Sequence, residues 1–161
     1  LPSDDGEPME TNRHRQQMNL LIQSLKRAWS SRHDYFVGGN MFIHFTRNEP
    51  PRKKFRGPDF FYVSGVQRHK PRLNWITWLE DGKFPELIIE LLSKSTAKVD
   101  RTTKKDLYEQ VFRTPEYYCY DPDKDRLEGW RLAGTHYENF TVVSWFLPKR
   151  LRPSKSSVYA F

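Results

Sequence analysis

Cysteine is almost missing from this sequence. The 161 residues contain one cysteine, Cys119, and a single thiol can form neither an intrachain disulfide nor a cysteine-based zinc cluster. The residues around it, 116–120, are mostly aromatic and predict a β-strand. Because an unpaired cysteine usually behaves as a small buried hydrophobe, we expect Cys119 to belong to the core.

Long apolar runs are missing as well. No run approaches the roughly 20 residues that a membrane-spanning helix needs, so no membrane partner is expected. The first residues, Leu1 to Asp5, are acidic, where a secretory signal would be basic and then apolar. The sequence therefore predicts a cytoplasmic protein.

Basic residues exceed acidic ones, 27 Lys and Arg against 20 Asp and Glu, which gives a formal charge of +7. This balance favours polyanionic partners, because basic groups release condensed counterions from phosphates. Two loops are candidates for phosphate contacts, although solvated basic loops explain them equally well. The candidate residues are Arg52, Lys53, Lys54, Arg56, Arg68 and Lys70.

A length of 161 residues fits a single domain over 1–161, with 1–10 and 149–161 as loose tails. Met18, Leu21 and Leu25 recur at helical spacing and predict a helix from about Asn12 to Ser30. A second amphipathic helix is predicted over 100–112, with Asp100 as its N-cap and Arg101, Lys105 and Glu109 on its outer side. Apolar and aromatic runs predict strands at 35–37, 41–45, 60–63, 85–93, 116–120, 127–132 and 140–147.

Three charged residues occupy positions that are unusual for charges. Asp59 follows Pro58 at the start of a strand, and Glu90 lies inside the most apolar strand, where a carboxylate needs a cation, a proton or hydrogen bonds. Lys104 lies four residues before Tyr108 and shares the inner side of the second helix. Two carboxylates can hold Mg²⁺, and a lysine can stabilise developing negative charge. A structural ion pair between Glu90 and Lys104 is the alternative.

These residues belong to a set of motifs that resembles the Uma-type restriction-endonuclease family. That family belongs to the PD-(D/E)XK nuclease superfamily and was formerly described as a domain of unknown function. The resemblance extends from about Glu10 to Leu132. It consists of Gly57-Pro-Asp59 before an apolar strand, Glu90-Leu-Leu-Ser93-Lys-Ser95-Thr96, the spacing of Asp100, Lys104 and Tyr108, and Pro115-Glu116-Tyr117 leading to Tyr120-Asp121-Pro122.

The resemblance implies an α/β (α+β) fold with a restriction-endonuclease-like mixed sheet flanked by helices. It implies that Asp59 and Glu90 are the ligands of Mg²⁺ or Mn²⁺ and that Lys104 completes a catalytic set. The superfamily places a lysine two residues after the glutamate, where this chain has Leu92. Lys104 would take over that role.

Three further residues are candidates for the site. Glu10 precedes the first helix, from which a fourth acidic group often comes in such folds. His14 could touch DNA, metal or nothing, and on a polar helix face it would ordinarily be solvated. Ser93 follows the Glu90 strand, where a serine more often caps the next turn than contacts a phosphate.

The favoured function is that of a divalent-metal-dependent endonuclease acting on nucleic acid, with DNA preferred as substrate. A homodimer would suit cleavage of both strands, because two active sites are then needed. The altered pattern at Leu92 leaves a second hypothesis, a catalytically silent nucleic-acid-binding module on a nuclease scaffold. A third is a structural or regulatory protein.

Overall fold

The computed structural model describes residues 11–46 and 55–140. The chain divides between Leu91 and Leu92 into two compact units, and the expectation of one domain stays a prediction. Among the described residues, no helix combines the length and the apolar character needed to cross a membrane.

The first unit begins with helix α1, Asn12–Ala28. The hydroxyl of Thr11 caps it by accepting a hydrogen bond from the backbone N–H of His14 at 3.4 Å. Lys26 and Arg27 occupy the last turn, where positive charge complements the helix dipole. The predicted helix is confirmed and ends two residues earlier than expected, since the N–H of Trp29 closes the final turn.

Two groups of paired strands complete the first unit. In the first, β4 pairs antiparallel with both β1 and β6. In the second, β2 pairs antiparallel with β3 and parallel with β5, which gives mixed pairing. The strands are Tyr35–Gly38 (β1), Ile43–His44 (β2), Phe55–Arg56 (β3), Phe60–Ser64 (β4), Trp75–Ile76 (β5) and Leu87–Leu91 (β6), and a 3₁₀ turn, Thr77–Leu79, follows β5.

The core of the first unit is rich in aromatic residues. Tyr35, Phe61 and Trp75 are fully buried, and the rings of Phe61 and Trp75 meet edge to face with centroids 6.0 Å apart. Such contacts between rings add to the stabilisation that comes from burying their area. This packing keeps β4 in place, and β4 begins directly after Asp59.

The second unit begins with a composite helix over residues 97–112. Its α-helical turns, Ala97–Val99 and Lys105–Leu107, alternate with the wider π-helical turns Asp100–Lys104 and Tyr108–Phe112. The prediction that Asp100 is the N-cap is wrong. The helix starts earlier, because the N–H of Ala97 already donates to the carbonyl of Ser93 at 3.0 Å, and Asp100 is buried within the helix.

The predicted outer side of this helix is also wrong. Glu109 is only 9% exposed and accepts a hydrogen bond from the N–H of Tyr137, while Arg101 pairs with Glu128 at 2.7 Å. The strands that contain Glu128 and Tyr137 pack on this face. The periodicity of apolar residues predicts which side of a helix faces the core. It does not show that strands also cover the opposite, polar side.

Three antiparallel strands complete the second unit: Glu116–Asp121 (β7), Arg126–Ala133 (β8) and His136–Phe140 (β9). Tyr108, Tyr117 and Cys119 are fully buried, which confirms the core position expected for Cys119. The sequence does not predict the polar strand β9, since three of its five residues are exposed. The strand predicted at 140–147 lies outside the described residues except for Phe140.

Candidate active site

Asp59 lies immediately before β4, as predicted from Pro58. The register pairs Phe60 with Ile89, so extending it by one residue places Asp59 beside Glu90. One carboxylate oxygen of Asp59, Oδ2, accepts a 2.7 Å hydrogen bond from the N–H of Leu91. The side chain is 13% exposed, which leaves this carboxylate held by backbone but within reach of solvent.

Glu90 is fully buried in β6. Its Oε2 lies 3.4 Å from the backbone nitrogen of Asp59, and its neighbours Ile89 and Leu91 are buried too. Consecutive buried residues therefore show that β6 is covered on both of its faces. A buried carboxylate beside a second carboxylate is electrostatically costly unless nearby positive charge compensates both.

His14 is the third member of this cluster. Its side chain comes from the first turn of α1, is buried, and places Nε2 2.9 Å from Oδ1 of Asp59. The expectation that His14 is solvated on a polar face is wrong. The signal was in the sequence, because His14 lies four residues before Met18 and so continues the apolar stripe of α1.

Gly39 brings the backbone of this site together. A Cβ added at Gly39 would lie 2.5 Å from the carbonyl oxygen of Asp59 and 2.9 Å from side-chain atoms of Met18 and Ile22. The N–H of Asn40 donates to the carbonyl of Pro58 at 3.1 Å. Only a glycine allows α1 and the segment before β4 to approach this closely.

Lys104 belongs to the second unit. Its Nζ lies 2.8 Å from Oδ1 of Asp100, and the two side chains are 19% and 2% exposed. The hydroxyl of Tyr117 donates a 2.8 Å hydrogen bond to the carbonyl of Asp100, which fixes the turn that carries the pair. Lys104 is thus largely buried and held by a carboxylate, as the inner-side prediction requires.

Ser93 has a capping role in the second unit. Its hydroxyl accepts from the N–H of Thr96 at 3.2 Å, and the hydroxyl of Thr96 accepts from the N–H of Ser93 at 3.3 Å. This reciprocal pair is a capping arrangement at the start of the composite helix. It accounts for Ser93 by the structural role that serines in this position usually have.

Arg68 is anchored within the first unit. Its guanidinium donates to the carbonyl oxygens of Trp29, Ser30 and Arg32 at 3.2, 3.2 and 2.9 Å and lies 5.0 Å from the centre of the Tyr35 ring. These bonds connect the segment that follows α1 to the loop that contains Arg68. Its proposed contact with nucleic acid stays a prediction.

The loop after Arg68 is held by Glu80. Arg72 forms two hydrogen bonds of 2.9 Å with the Glu80 carboxylate, and Lys70 adds another at 2.7 Å. The Arg72 guanidinium also lies 4.8 Å from the Phe36 ring centre and 5.1 Å from the Trp75 ring centre. Burial raises the pKa of Glu80, but the hydrogen bonds from Arg72 and Lys70 outweigh it and bring the pKa below its ordinary value.

The structure gives little or no information on the remaining candidate residues. Arg56 lies in β3 and is partly buried. Four residues, Glu10, Arg52, Lys53 and Lys54, lie outside the described residues.

Comparison with known proteins identifies the family. A family model, Uma2, described as "Putative restriction endonuclease", matches residues 4–152. The chain belongs to the Uma2 family. No curated protein matches the sequence.

The fold of this Uma2 member has a counterpart among solved structures. A crystal structure described as a "putative nuclease belonging to DUF820" from Anabaena variabilis ATCC 29413 matches with a TM-score of 0.59. The match has 14% sequence identity and covers 91% of this chain and 79% of the other. The expected fold class, restriction-endonuclease-like with helices flanking mixed β-structure, is therefore confirmed.

The donor set in this Uma2 member suits a hard divalent cation. Glu90 Oε2 lies 3.4 Å from the backbone nitrogen of Asp59, so the two acidic residues are adjacent. Mg²⁺ is commonly bound by one or two carboxylates while water and substrate phosphates complete its shell. Within residues 11–46 and 55–140, no group of three or more His, Cys, Asp and Glu side chains has the geometry of a metal site. The two carboxylates alone would have to anchor the ion.

Proposed function

We propose that this chain is a divalent-metal-dependent endonuclease that hydrolyses phosphodiester bonds in DNA. The observation that carries the proposal is the buried Glu90 carboxylate next to Asp59, in a chain whose family is described as "Putative restriction endonuclease". Burying one carboxylate beside another opposes folding. Binding of Mg²⁺ or Mn²⁺ would compensate the negative charge of both carboxylates.

Asp59 and Glu90 hold the metal in this proposal. The bound ion supplies Lewis acidity toward a phosphate oxygen and lowers the pKa of a coordinated water. The backbone bond from Leu91 to Oδ2 of Asp59 keeps one carboxylate in a fixed orientation. Preorganised groups cost little reorganisation during the reaction, which is why such fixing matters for rate.

Lys104 stabilises the negative charge that develops on the phosphate. Its pairing with the buried Asp100 at 2.8 Å limits the ammonium group to few orientations. The chain has Leu92 at the position where the superfamily has its lysine, and Lys104 is proposed to take over that role. Replacing Lys104 with Met should remove cleavage and leave metal affinity unchanged.

DNA is the proposed substrate because the chain carries a formal charge of +7, and duplex phosphates attract such proteins with a strong dependence on salt. A homodimer would bring two sites to the two strands. Cytoplasmic location would give access to such a substrate.

The first experiment is cleavage of supercoiled plasmid, single-stranded DNA and RNA with Mg²⁺, with Mn²⁺ and with chelator. Wild type is compared with Asp59→Asn and Glu90→Gln, and with Glu138→Gln as an exposed control. We expect metal-dependent nicking that both site variants lose and the control retains. If wild type is inert on every substrate yet binds DNA equally well in chelator, the chain is a silent binding module instead.

A further inference from the structure

A buried histidine contacts the proposed metal site from a separate element. His14 lies on α1, Asp59 precedes β4, and their Nε2 and Oδ1 atoms are 2.9 Å apart. Both side chains are largely buried, at 9% and 13% exposure. A polar contact so sheltered from water is stronger and more restrictive than the same contact on the surface.

The two oxygens of Asp59 have different protein partners. Oδ2 is bound by the N–H of Leu91 at 2.7 Å, and Oδ1 faces His14. With one partner on each oxygen, the carboxylate plane cannot rotate about its Cβ–Cγ bond without losing a contact.

We infer that His14 is a positioning residue that fixes the Asp59 carboxylate for metal binding. This inference rests on the proposed function and deepens it. Groups that hold ligating carboxylates by a close polar contact orient them, and loss of such a partner typically lowers metal affinity or activity by about 10- to 100-fold. His14 acts through Asp59 and does not bind the metal itself.

Local structure supports a dedicated role for this side chain. Thr11 caps α1 on the N–H of His14 itself, which fixes the backbone from which the imidazole projects. Gly39 permits the close approach of α1 and Asp59. The first turn of α1 is thereby placed on the site by two contacts independent of the imidazole.

Three variants of His14 test the inference, and they differ in whether a hydrogen-bond donor remains near the position of Nε2. His14→Gln places its amide nitrogen near that position, His14→Asn is too short to reach it, and His14→Leu fills the space without a donor. Gln16→Leu, on the exposed side of the same helix, is the control. Circular dichroism and thermal unfolding show whether each variant is folded.

The readout is Mn²⁺ affinity by calorimetry on the metal-free protein, together with kcat and KM on plasmid DNA. We expect His14→Leu and His14→Asn to weaken Mn²⁺ binding by about 10- to 100-fold and to lower kcat with KM little changed. His14→Gln should recover most of both. Because Gln and Asn are both polar amides, a difference between them reports reach and not polarity.

Two results would overturn the positioning role. Folded His14→Asn and His14→Leu proteins with wild-type Mn²⁺ affinity would make His14 a packing residue, while loss of binding in Asp59→Asn in the same assay would keep the proposed site. Nitrogen coupling to bound Mn²⁺ in pulsed electron paramagnetic resonance, absent in His14→Leu, would make His14 a ligand. If wild type binds no Mn²⁺, the proposed function fails and the inference fails with it.

Discussion

The backbone N–H of Leu91 donates a 2.7 Å hydrogen bond to the carboxylate of Asp59. A main-chain donor persists whatever side chain stands at that position, so β6 itself fixes this carboxylate. The same strand supplies Glu90, and the pairing of Phe60 with Ile89 determines that the two acidic groups meet. The geometry of the site therefore follows from strand register.

Metal binding should stabilise the folded protein, and only while both carboxylates are present. A ligand that binds the native state at 100 times its Kd adds about 2.7 kcal/mol to the free energy of unfolding. We expect thermal unfolding of wild type to shift upward with Mg²⁺ or Mn²⁺. Asp59→Asn and Glu90→Gln should show no shift, whereas Glu138→Gln should respond as wild type does. An equal shift in all four proteins would place the binding site elsewhere.

Gly39→Ala should damage the site by displacing the backbone of Asp59. The new Cβ would lie 2.5 Å from a carbonyl oxygen that cannot move freely, and overpacking of this kind costs about 1–3 kcal/mol. We expect lower stability in urea unfolding together with weaker Mn²⁺ binding. Ile43→Val, at a fully buried position in β2, should cost about 0.5–1.5 kcal/mol and leave Mn²⁺ affinity intact. Equal metal affinity in both variants would contradict the prediction.

Mutations in the two basic loops should distinguish residues that stabilise the fold from residues that contact DNA phosphates. Arg68 bonds three carbonyl oxygens near the end of α1, so Arg68→Ala should lower the unfolding temperature and leave the salt dependence of DNA binding unchanged. If Lys53 and Lys54 contact phosphates, each replacement by Ala should reduce the slope of log K against log salt by about 0.9. The measurement is fluorescence anisotropy with labelled duplex at several salt concentrations. A reduced slope for Arg68→Ala would show that its anchoring does not prevent DNA contact.

Much of the site could be predicted, because a charged residue inside an apolar run or at the start of a strand is recognisable from its neighbours in the sequence. Glu90 within an apolar run and Asp59 after a proline signalled their positions without any structure, and the structure brings them together. Helix α1 and strands β1, β4, β6, β7 and β8 were predicted from hydrophobic period and aromatic content, because packing against one core imposes those periods.

The parts that escaped prediction depend on contacts distant in sequence. Glu109 looked solvent-exposed because its helix period takes no account of the strand containing Tyr137, which covers it. Asp100 is predicted as a cap from its residue type alone. In the structure Ser93 and Thr96 close the turn before the helix, and Asp100 lies within the helix. Histidine is a polar residue type, which favours the polar face of α1 for His14. Its spacing of four residues from Met18 favours the buried face, where the structure places it.

Stability in acid should depend on Glu80. Arg72 is only 2% exposed on its side chain and pairs with Glu80 at 2.9 Å, and the pKa of Glu80 lies below its ordinary value of about 4.5. A depressed pKa stabilises the fold fully above that ordinary value and loses this contribution as the pH falls through the folded-state pKa. Urea unfolding between pH 7 and pH 3 measures this loss.

Glu80→Gln isolates the contribution from that of other acidic groups. The variant should be less stable than wild type at neutral pH, because the buried guanidinium of Arg72 loses its charged partner. The difference between the two proteins should shrink as the pH falls below about 4.5, since wild-type Glu80 then becomes neutral as well. Glu138→Gln, at an exposed position, should follow wild type throughout. A stability gap that stays constant down to pH 3 would mean that packing of the loop, and not the charge of Glu80, holds Arg72 in place.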